Sequence, residues 1–475
     1  MRQTRLTNNH STILVLLFVF FLSACSTGSM DGRILVTEVQ QSSSNDFSPW
    51  DISKVEGARI VAISPRGNNK NVVNLTKDFF SAVSPVVSYD GKYMLFAGKK
   101  EAADHWQIWE TRLGSGKVRQ VTNSEEDCTN PVYLPKGHFA FSSLLNNKTV
   151  KNSNVLFSGN LDGTNIQQLT FSPQTFAGLS VLNDGRLIAM EKQVFPAEGK
   201  SKIMVLRPDG SKLELFYKSA GEASVQSKIA ETRNEEILFI EKINEANKIV
   251  SVSYNMPMYS HKVVTSKIEG DFCSVIPYTD DQLLTSYRKT ASEVFSLNTF
   301  NAKVGTLSEI YQSEGYNVVD AVLVQSYRRP RDLPSEIHPD VKTGLLVCQD
   351  INFPGAESLK EEGAKPIATK IEVLGIDSTL ALVDVEKDGS FYLKVEANIP
   401  FRIQTLSENG EVVNGPGDWY YIRPNERRGC VGCHTGPDIS PFNRQPLAIR
   451  EKDPVFIAND SELNPTQKMK DKEHE

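Results

Sequence analysis

The amino-acid sequence predicts an all-β protein: a β-propeller of about six blades, then a small β-sandwich and a short irregular C-terminal segment. Two observations predict the propeller. Short apolar runs are separated by Asp-Gly dipeptides, which favour hairpin turns, and one strand ending recurs at intervals of 46 and 48 residues. A third observation, strict alternation of apolar and polar residues after Gly389, predicts the strands of the sandwich.

The propeller is predicted over residues 33–315, where three markers recur in the same order. The strand endings are Val73-Asn74-Leu75-Thr76, Arg119-Gln120-Val121-Thr122 and Gln167-Gln168-Leu169-Thr170. A second marker follows each of them: Ser84-Pro85-Val86, Asn130-Pro131-Val132 and a degraded copy at Phe176-Ala177-Gly178. The third is an inward strand: Tyr93-Met94-Leu95-Phe96, His138-Phe139-Ala140-Phe141 and Leu187-Ile188-Ala189-Met190. Four-stranded repeats of this length are typical of propeller blades, and an array of β-sandwiches is the alternative.

The middle region is predicted to span residues 316–425. A basic, proline-bearing stretch at Ser326-Tyr327-Arg328-Arg329-Pro330-Arg331 predicts a connector at its start. Strands are expected near residues 344–348, 369–374 and 380–385, and Asn409-Gly410 predicts another hairpin turn. Together they predict a small antiparallel sandwich, in which Cys348 is expected to be a buried thiol.

Composition limits the kinds of partner. The net charge is −6, with 39% apolar and 23% charged residues, which is ordinary for a soluble globular protein. A nucleic-acid partner would require a concentrated basic face, so none is expected. Six cysteines in 475 residues exclude a disulfide-dense scaffold.

The N-terminus has the pattern of a secretory signal. Arg2 and Arg5 precede an apolar run at residues 13–22, which is shorter than the roughly 20 residues that a membrane-spanning helix needs. We therefore expect export rather than a transmembrane anchor.

The end of this run, Leu22-Ser23-Ala24-Cys25, resembles the lipobox of bacterial lipoproteins. The resemblance implies acylation of Cys25, with chains such as palmitate, and cleavage before it. Residues 1–24 would then be the signal peptide and residues 25–32 a tether, and the alternative is an ordinary signal peptide with a chance cysteine. Because Ser26 is not the aspartate that retains lipoproteins at the inner membrane, the resemblance implies an anchor in the outer membrane.

The chemical motif is C-x-x-C-H, formed by Cys430, Cys433 and His434 in the predicted C-terminal segment, residues 426–475. Two thiols at this spacing can each add to one haem vinyl group, and the adjacent histidine can ligate the iron, which predicts one covalent haem c. The alternatives are a zinc site, which usually needs a second Cys or His pair, a thioredoxin-like redox pair, which needs a βαβ context, and a simple disulfide. Export favours haem, because c-type attachment takes place outside the cytoplasm.

The residues around the motif are candidates for haem contacts. Three aromatic residues can cover the faces of a macrocycle: Trp419, Tyr420 and Tyr421. Three arginines can pair with haem propionates: Arg423, Arg427 and Arg428. The alternative is that these are rim aromatics and solvated charges. The nearby carboxylates, Glu426 and Asp438, are expected to be solvated.

Several segments carry a family resemblance. The C-terminal third resembles the hydrazine synthase alpha subunit middle-domain family through Asp388-Gly389-Ser390-Phe391, Ile399-Pro400-Phe401, Trp419-Tyr420-Tyr421-Ile422-Arg423-Pro424, the run from Glu426 to His434, and Asn443-Arg444-Gln445-Pro446-Leu447-Ala448. The run from Ser84 to Lys92, with Phe96, resembles the blades of TolB-like propellers. The family resemblance implies a six-bladed propeller before the middle domain and haem attachment at Cys430 and Cys433. Hydrazine synthase alpha subunits carry a further haem-bearing region, whereas this sequence has one C-x-x-C-H motif. Hydrazine synthesis is therefore not expected.

Two functions from different classes follow. The first is an envelope lipoprotein cytochrome that passes electrons to a redox partner protein, alone or as the cytochrome subunit of a larger complex. The second is a scaffold in which the propeller binds a partner and the haem is structural. A third, a haem enzyme distantly related to hydrazine synthase, would need an acid or base beside the motif, and the sequence offers no such set.

Overall fold

The computed structural model describes residues 30–41, 47–50, 52–65, 71–145, 153–353, 367–432 and 444–458. Within these ranges the chain forms 33 strands in eight sheets and one α-helix. Alternating β-branched and aromatic residues with Asp-Gly turns favour this all-β architecture, as predicted from the sequence.

The first six sheets are the blades of a propeller. Blade 1 contains β1 (Ile34–Gln40), β2 (Arg59–Ile63), β3 (Val73–Asn74) and β25 (Tyr316–Leu323). Blade 2 contains β4 (Ser81–Val87), β5 (Tyr93–Lys99), β6 (Gln107–Arg112) and β7 (Lys117–Gln120). Blade 3 contains β8 (Cys128–Leu134), β9 (His138–Leu145), β10 (Ser153–Asn160) and β11 (Gln167–Gln168).

The other three blades follow in sequence order. Blade 4 contains β12 (Thr175–Val181), β13 (Leu187–Lys192), β14 (Ser201–Leu206) and β15 (Glu214–Lys218). Blade 5 contains β16 (Ser224–Val225), β17 (Ala230–Glu231), β18 (Glu236–Ile243), β19 (Ala246–Ser253) and β20 (Lys262–Val263). Blade 6 contains β21 (Asp271–Pro277), β22 (Gln282–Arg288), β23 (Ser296–Asn301) and β24 (Thr306–Tyr311). The prediction of six blades is confirmed.

The ring closes inside blade 1. β25 pairs antiparallel with β1, in a register that runs from Ile34 opposite Leu323 to Gln40 opposite Tyr316. The predicted propeller boundary at residue 315 therefore lies before the strand that closes the ring. β25 was assigned to the middle region because it carries none of the repeat markers.

The inner strands of blades 2, 3 and 4 carry the same irregularity. The ladder register shifts around Ser84, Asn130 and Gly178, and each of these residues has a positive φ, of 57°, 51° and 61°. Gly178 is therefore the structural equivalent of Ser84. The third copy of the second marker therefore begins at Gly178, not at Phe176 as predicted from the sequence. This copy lacks the proline that identifies the first two copies, so its start is not marked in the sequence.

Buried glutamates connect neighbouring blades. The Tyr311 hydroxyl of blade 6 donates to Glu38 of blade 1 over 2.5 Å, and Arg59 donates to the other oxygen of this carboxylate over 2.6 Å. The same kind of contact joins blade 3 to blade 2, through Tyr133 and Glu110, and blade 4 to blade 5, through Tyr217 and Glu241. Burial and the Glu38 carboxylate raise the pKa of Tyr311 to about 12, so the hydroxyl keeps its proton.

A connector leaves blade 1 and runs past the next three blades. The Tyr327 N–H donates to the carbonyl of Tyr89 in blade 2, and Asp332 is paired with Lys136 of blade 3. The Arg331 N–H donates to the carbonyl of Asn183 in blade 4 over 3.1 Å. The chain then reaches the outer turn of blade 4, where the Glu336 N–H donates to Asp209 over 2.7 Å.

The last two sheets form the predicted sandwich. One contains β26 (Thr343–Cys348), β29 (Phe391–Glu396), β32 (Arg427–Cys430) and β33 (Val455–Ile457). The other contains β27 (Lys370–Leu374), β28 (Thr379–Asp384), β30 (Arg402–Leu406) and β31 (Val412–Asn414). Their shared core includes Cys348, which is 2% exposed as expected.

The sandwich differs from the prediction at its edges. β32 pairs parallel with β26, and β33 pairs parallel with β29, whereas an entirely antiparallel sandwich was predicted. Part of the segment predicted to be irregular therefore supplies both edge strands, and it also contains the helix α1 (Leu447–Glu451). These strands are only four and three residues long, too short to show a clear alternation.

We predict that Tyr311→Phe lowers the free energy of unfolding by about 1–3 kcal/mol, because it leaves an oxygen of the fully buried Glu38 without its hydroxyl donor. Thermal and urea unfolding followed by circular dichroism would measure the change. Tyr259→Phe is the control, since Tyr259 is 54% exposed. Equal unfolding midpoints for the two variants would contradict the prediction.

Candidate functional site

The first cysteine of the C-x-x-C-H motif ends a strand of the sandwich. Cys430 is the last residue of β32 and lies in register opposite Cys348 of β26. The Gln349 N–H donates to the Cys430 carbonyl over 2.9 Å, which fixes the main chain at the strand end. The side chain is half-buried and packs against the sandwich core.

Gly432 turns the chain just after this strand. Its φ is 140°, and a Cβ at this position would lie 2.1 Å from the carbonyl oxygen of Asp350. That distance is far below any real Cβ contact, so only glycine fits beside this carbonyl without movement of the main chain. Packing on the Asp350 carbonyl therefore requires glycine at position 432, the second of the two variable positions in C-x-x-C-H.

The described chain resumes at Arg444, again beside Asp350. The Arg444 guanidinium lies 3.7 Å from a carboxylate oxygen of Asp350 and 3.7 Å from one of Asp388, and it donates to the Asp388 carbonyl. The Leu447 N–H at the start of α1 donates to the Asp388 carboxylate over 3.0 Å. Both flanks of residues 433–443 thus contact the same short segment of the sandwich.

Asp388 is held in its ionised form. Burial opposes ionisation, but hydrogen bonds from the Ser390 hydroxyl and from the N–H groups of Leu447 and Ser390, together with the Arg444 charge, lower its pKa below the usual range. The Asp388-Gly389 turn, which precedes the alternating strand predicted from the sequence, therefore also anchors the chain that follows the motif.

The other predicted attachment residues lie outside the described residues. Cys433, His434 and Asp438 belong to residues 433–443, and Cys25 belongs to residues 1–29. Their assignments as haem thioether, iron ligand, nearby carboxylate and acylated cysteine stay predictions.

Two residues predicted to contact haem instead join the domains. Tyr421 is 1% exposed and packs into a core cluster of blades 3 and 4, where its hydroxyl donates to the Gly210 carbonyl over 2.9 Å. Arg423 is 5% exposed, and its Nε donates to the Asp209 carbonyl over 3.1 Å. The predictions for Tyr421 and Arg423 were wrong, because the aromatic and guanidinium groups that suit a macrocycle suit a polar domain interface equally well.

Glu426 is the centre of this interface. It is 2% exposed, whereas the sequence analysis expected a solvated carboxylate. Its two oxygens accept hydrogen bonds from the Lys212 N–H of blade 4, over 2.8 Å, and from the Arg423 N–H, over 2.7 Å. The carboxylate is buried because it satisfies main-chain donors from both domains.

The remaining candidates have different surroundings. The Arg428 guanidinium donates to the Leu213 carbonyl of blade 4 and lies 5.9 Å from the centre of the Tyr420 ring. Trp419 is 9% exposed and lies 5.7 Å from the ring of Phe195, between the propeller and the sandwich. Arg427 and Tyr420 are exposed. Haem contacts by Arg427 and Arg428 stay predictions, and Arg428 has an additional role at the interface that its sequence context does not signal.

Two features are absent from the part of the chain that the structure describes. No group of three or more His, Cys, Asp or Glu residues in these ranges is arranged to hold a metal ion. Within the same ranges, no helix is long and apolar enough to cross a membrane.

We predict that Glu426→Ala destabilises the middle domain by about 2–3 kcal/mol, because it leaves two buried main-chain N–H groups without acceptors. Differential scanning calorimetry should show a transition of lower temperature, separated from that of the propeller. Glu408→Ala, on an exposed turn of the same domain, is the control. The same melting curve for both variants would contradict this role of Glu426.

Two comparisons with known proteins show a similarity to the hydrazine synthase alpha subunit. Residues 350–435 match the family model of the hydrazine synthase alpha subunit middle domain, a span that includes Cys430, Cys433 and His434. Hydrazine synthase subunit alpha of Kuenenia stuttgartiensis is 21% identical over 536 aligned residues, which cover 85% of this chain and 66% of that protein. The chain thus spans just under two thirds of the length of this relative.

One solved structure has the same fold, and a second shows a weaker likeness. The structure of Kuenenia stuttgartiensis hydrazine synthase matches with a TM-score of 0.75 at 18% identity, and the match covers 89% of this chain and 72% of that one. TolB from Acinetobacter baumannii matches with a TM-score of 0.42 at 11% identity and covers 58% of this chain and 62% of its own. Residues 350–435 of this protein are therefore similar to the hydrazine synthase alpha subunit middle domain, and they follow a six-bladed β-propeller.

Proposed function

We propose that this chain is an exported, lipid-anchored c-type cytochrome that passes single electrons to a partner protein in the cell envelope. In this proposal Cys430 and Cys433 attach one haem, His434 ligates its iron, and acylated Cys25 anchors the chain to the outer membrane. The observation that carries the proposal is the way the sandwich holds both flanks of the C-x-x-C-H segment against Asp350.

The residues around Cys430 fit a covalent haem. Two thioether bonds and one axial imidazole must come from one short segment, so its ends have to be held in place. Gly432 packs on the Asp350 carbonyl at one end, and Arg444 lies beside the Asp350 carboxylate at the other. Cys430 itself is half-buried at the end of a strand, where a thiol can be reached from outside the sandwich core.

Each group of this chain then has a defined part. Cys430 and Cys433 supply the two thiols, and His434 supplies the imidazole, while Asp350, Asp388 and Arg444 orient the segment that carries them. Arg427 and Tyr420 are exposed, and in this proposal their side chains contact the bound macrocycle. A haem attached here would supply one-electron redox chemistry.

The described surroundings favour electron transfer over catalysis. The Asp350 and Asp388 carboxylates are engaged by Arg444 and by main-chain N–H groups, and Glu426 is buried between the domains. Within the described residues beside Cys430, these carboxylates are therefore not positioned as a general acid or base. The activity for which the relative is named is not carried over, because the match is 21% identical and spans 66% of that protein.

We predict that the protein, purified from a host that matures c-type cytochromes, carries the mass of one haem and shows a reversible reduced-minus-oxidised spectrum. Intact mass spectrometry and redox-titrated absorbance would measure both. Haem that is retained after Cys430→Ser and Cys433→Ser together would overturn covalent attachment. Haem that cannot be reduced and reoxidised would overturn electron transfer and favour a scaffold with a structural haem.

We predict that Gly432→Ala lowers the yield of covalent haem severalfold, because a Cβ 2.1 Å from the Asp350 carbonyl displaces the chain between the two cysteines. Gly429→Ala is the matched control, since a Cβ at Gly429 meets nothing within 4 Å. Haem-stained gels, normalised to the amount of folded protein, would compare the variants. Equal yields would show that this turn does not position the motif.

We predict that Cys25→Ser releases the protein from the membrane fraction, because acyl chains supply the membrane affinity of a lipoprotein. Cell fractionation with an antibody against the propeller would show a soluble envelope protein in place of an outer-membrane one. Cys128→Ser, a buried propeller cysteine, is the control. A Cys25→Ser variant that still sediments with membranes would place the anchor elsewhere.

A further inference from the structure

The propeller encloses a cavity in its central channel. Its volume is about 150 Å³, and the inner strands of all six blades contribute to its wall. Three residues of the wall lie at the register shifts of blades 2, 3 and 4: Ser84, Asn130 and Gly178. The wall is otherwise largely apolar: Ile52, Pro85, Pro131, Leu179, Val275 and Val319.

Two opposite charges project into this apolar space. Lys228 lies between β16 and β17 of blade 5, and Asp320 lies on β25 of blade 1, so blade 6 separates them. Among the described residues, Lys228 forms no ion pair within 4.0 Å and donates no side-chain hydrogen bond, while Asp320 accepts only from its neighbour, the Ala321 N–H, over 2.8 Å. A charge in a largely apolar cavity is stabilised by an opposite charge, and Lys228 and Asp320 do not form an ion pair with each other within 4.0 Å, so a ligand that carries both charges could pair with each of them.

Burial shifts the pKa values of both side chains, so a bound charge would change their ionisation. Burial raises the pKa of Asp320 to about 6, which the Lys228 charge only partly offsets, and burial lowers the pKa of Lys228. An opposite charge bound beside either group would stabilise its charged form. Cys273 is the other titratable side chain among the described residues that line the cavity.

A second cavity provides access. It has a volume of about 250 Å³ and shares Lys228, Ile229 and Ala230 with the first. Its outer residues include Tyr89, Asn183 and Glu231, and the first two also receive the connector. A small molecule could thus reach the charged pair from the face of the propeller that the connector crosses.

We propose that this channel binds a small zwitterion, a free α-amino acid with a short aliphatic side chain, whose carboxylate pairs with Lys228 and whose ammonium pairs with Asp320. The apolar wall accommodates the aliphatic part, as in other small-molecule sites that combine an apolar lining with a few fixed polar groups. A cavity of about 150 Å³ can hold a molecule as large as benzene, which sets the size class. The site is independent of the haem proposal.

The test is titration calorimetry of the full chain with L-valine, isovalerate and isobutylamine. The two analogues keep the branched chain of valine and lose one charge each. We expect L-valine to bind and each analogue to bind at least about tenfold more weakly, because one buried charge is then left unpaired. Isovalerate or isobutylamine binding as tightly as L-valine would overturn the zwitterion assignment, and so would the absence of L-valine binding.

Variants locate the site. Lys228→Met and Asp320→Asn should each abolish L-valine binding, while Lys262→Met and Asp281→Asn, which remove exposed charges of the same propeller, should leave it unchanged. Circular dichroism of each unliganded variant identifies any that fails to fold. For the wild type, binding at pH 5 should be about tenfold weaker than at pH 7.5, because Asp320 is then largely protonated. Binding that is unaffected by both the Asp320 variant and the pH change would overturn the proposal.

Discussion

The position of the C-x-x-C-H motif depends on one buried carboxylate, that of Glu426. It accepts main-chain N–H groups from Lys212 of the propeller and from Arg423 of the middle domain, so neither domain can move without breaking a buried hydrogen bond. The outer turn of blade 4 receives further donors from the middle domain, through the Tyr421 hydroxyl, the Arg423 guanidinium and the Arg428 guanidinium. Since β32 begins at Arg427, the strand that ends at Cys430 starts directly from this interface.

The same interface explains the composition of the segment before the motif. A carbonyl-rich turn needs donors, and Tyr421, Arg423 and Arg428 supply them. Tyr421 and Arg423 are almost fully buried, so water cannot replace them there. Leaving those carbonyls unpaired would cost more than the hydrogen bonds gain in net stability. The aromatic and basic residues that precede Cys430 therefore mainly dock the domain, and Tyr420 and Arg427 are the exposed members of this set.

The features that were predicted correctly depend on residues that are close together in the sequence. Asp-Gly turns and the repeated Leu/Val-Thr endings predict blades, because each blade is built from neighbouring strands. Ring closure by β25, the parallel edge strands β32 and β33 and the burial of Glu426 depend on residues far apart in the chain, and no short-range signal marks them. For the candidate site, the motif identified Cys430, whereas the Gly432–Asp350 contact and the Arg444 pairings became visible only once the strands were placed in register.

The connector divides the propeller into two parts that are held together differently: blades 1 to 4, and blades 5 and 6. From blade 1 it contacts Tyr89 of blade 2, Lys136 of blade 3 and Asn183 of blade 4, before the middle domain docks on blade 4. These contacts bind the first four blades together from outside, in addition to the packing between neighbouring sheets. Within the described residues, the connector contacts blades 2, 3 and 4. Blades 5 and 6 are held by packing between sheets, by the buried Glu241 and Glu38 contacts with blades 4 and 1, and by the pairing of β25 with β1. Partial opening of the ring should therefore begin in blades 5 and 6, whose amide hydrogens would exchange at a lower opening free energy than those of blades 2 to 4.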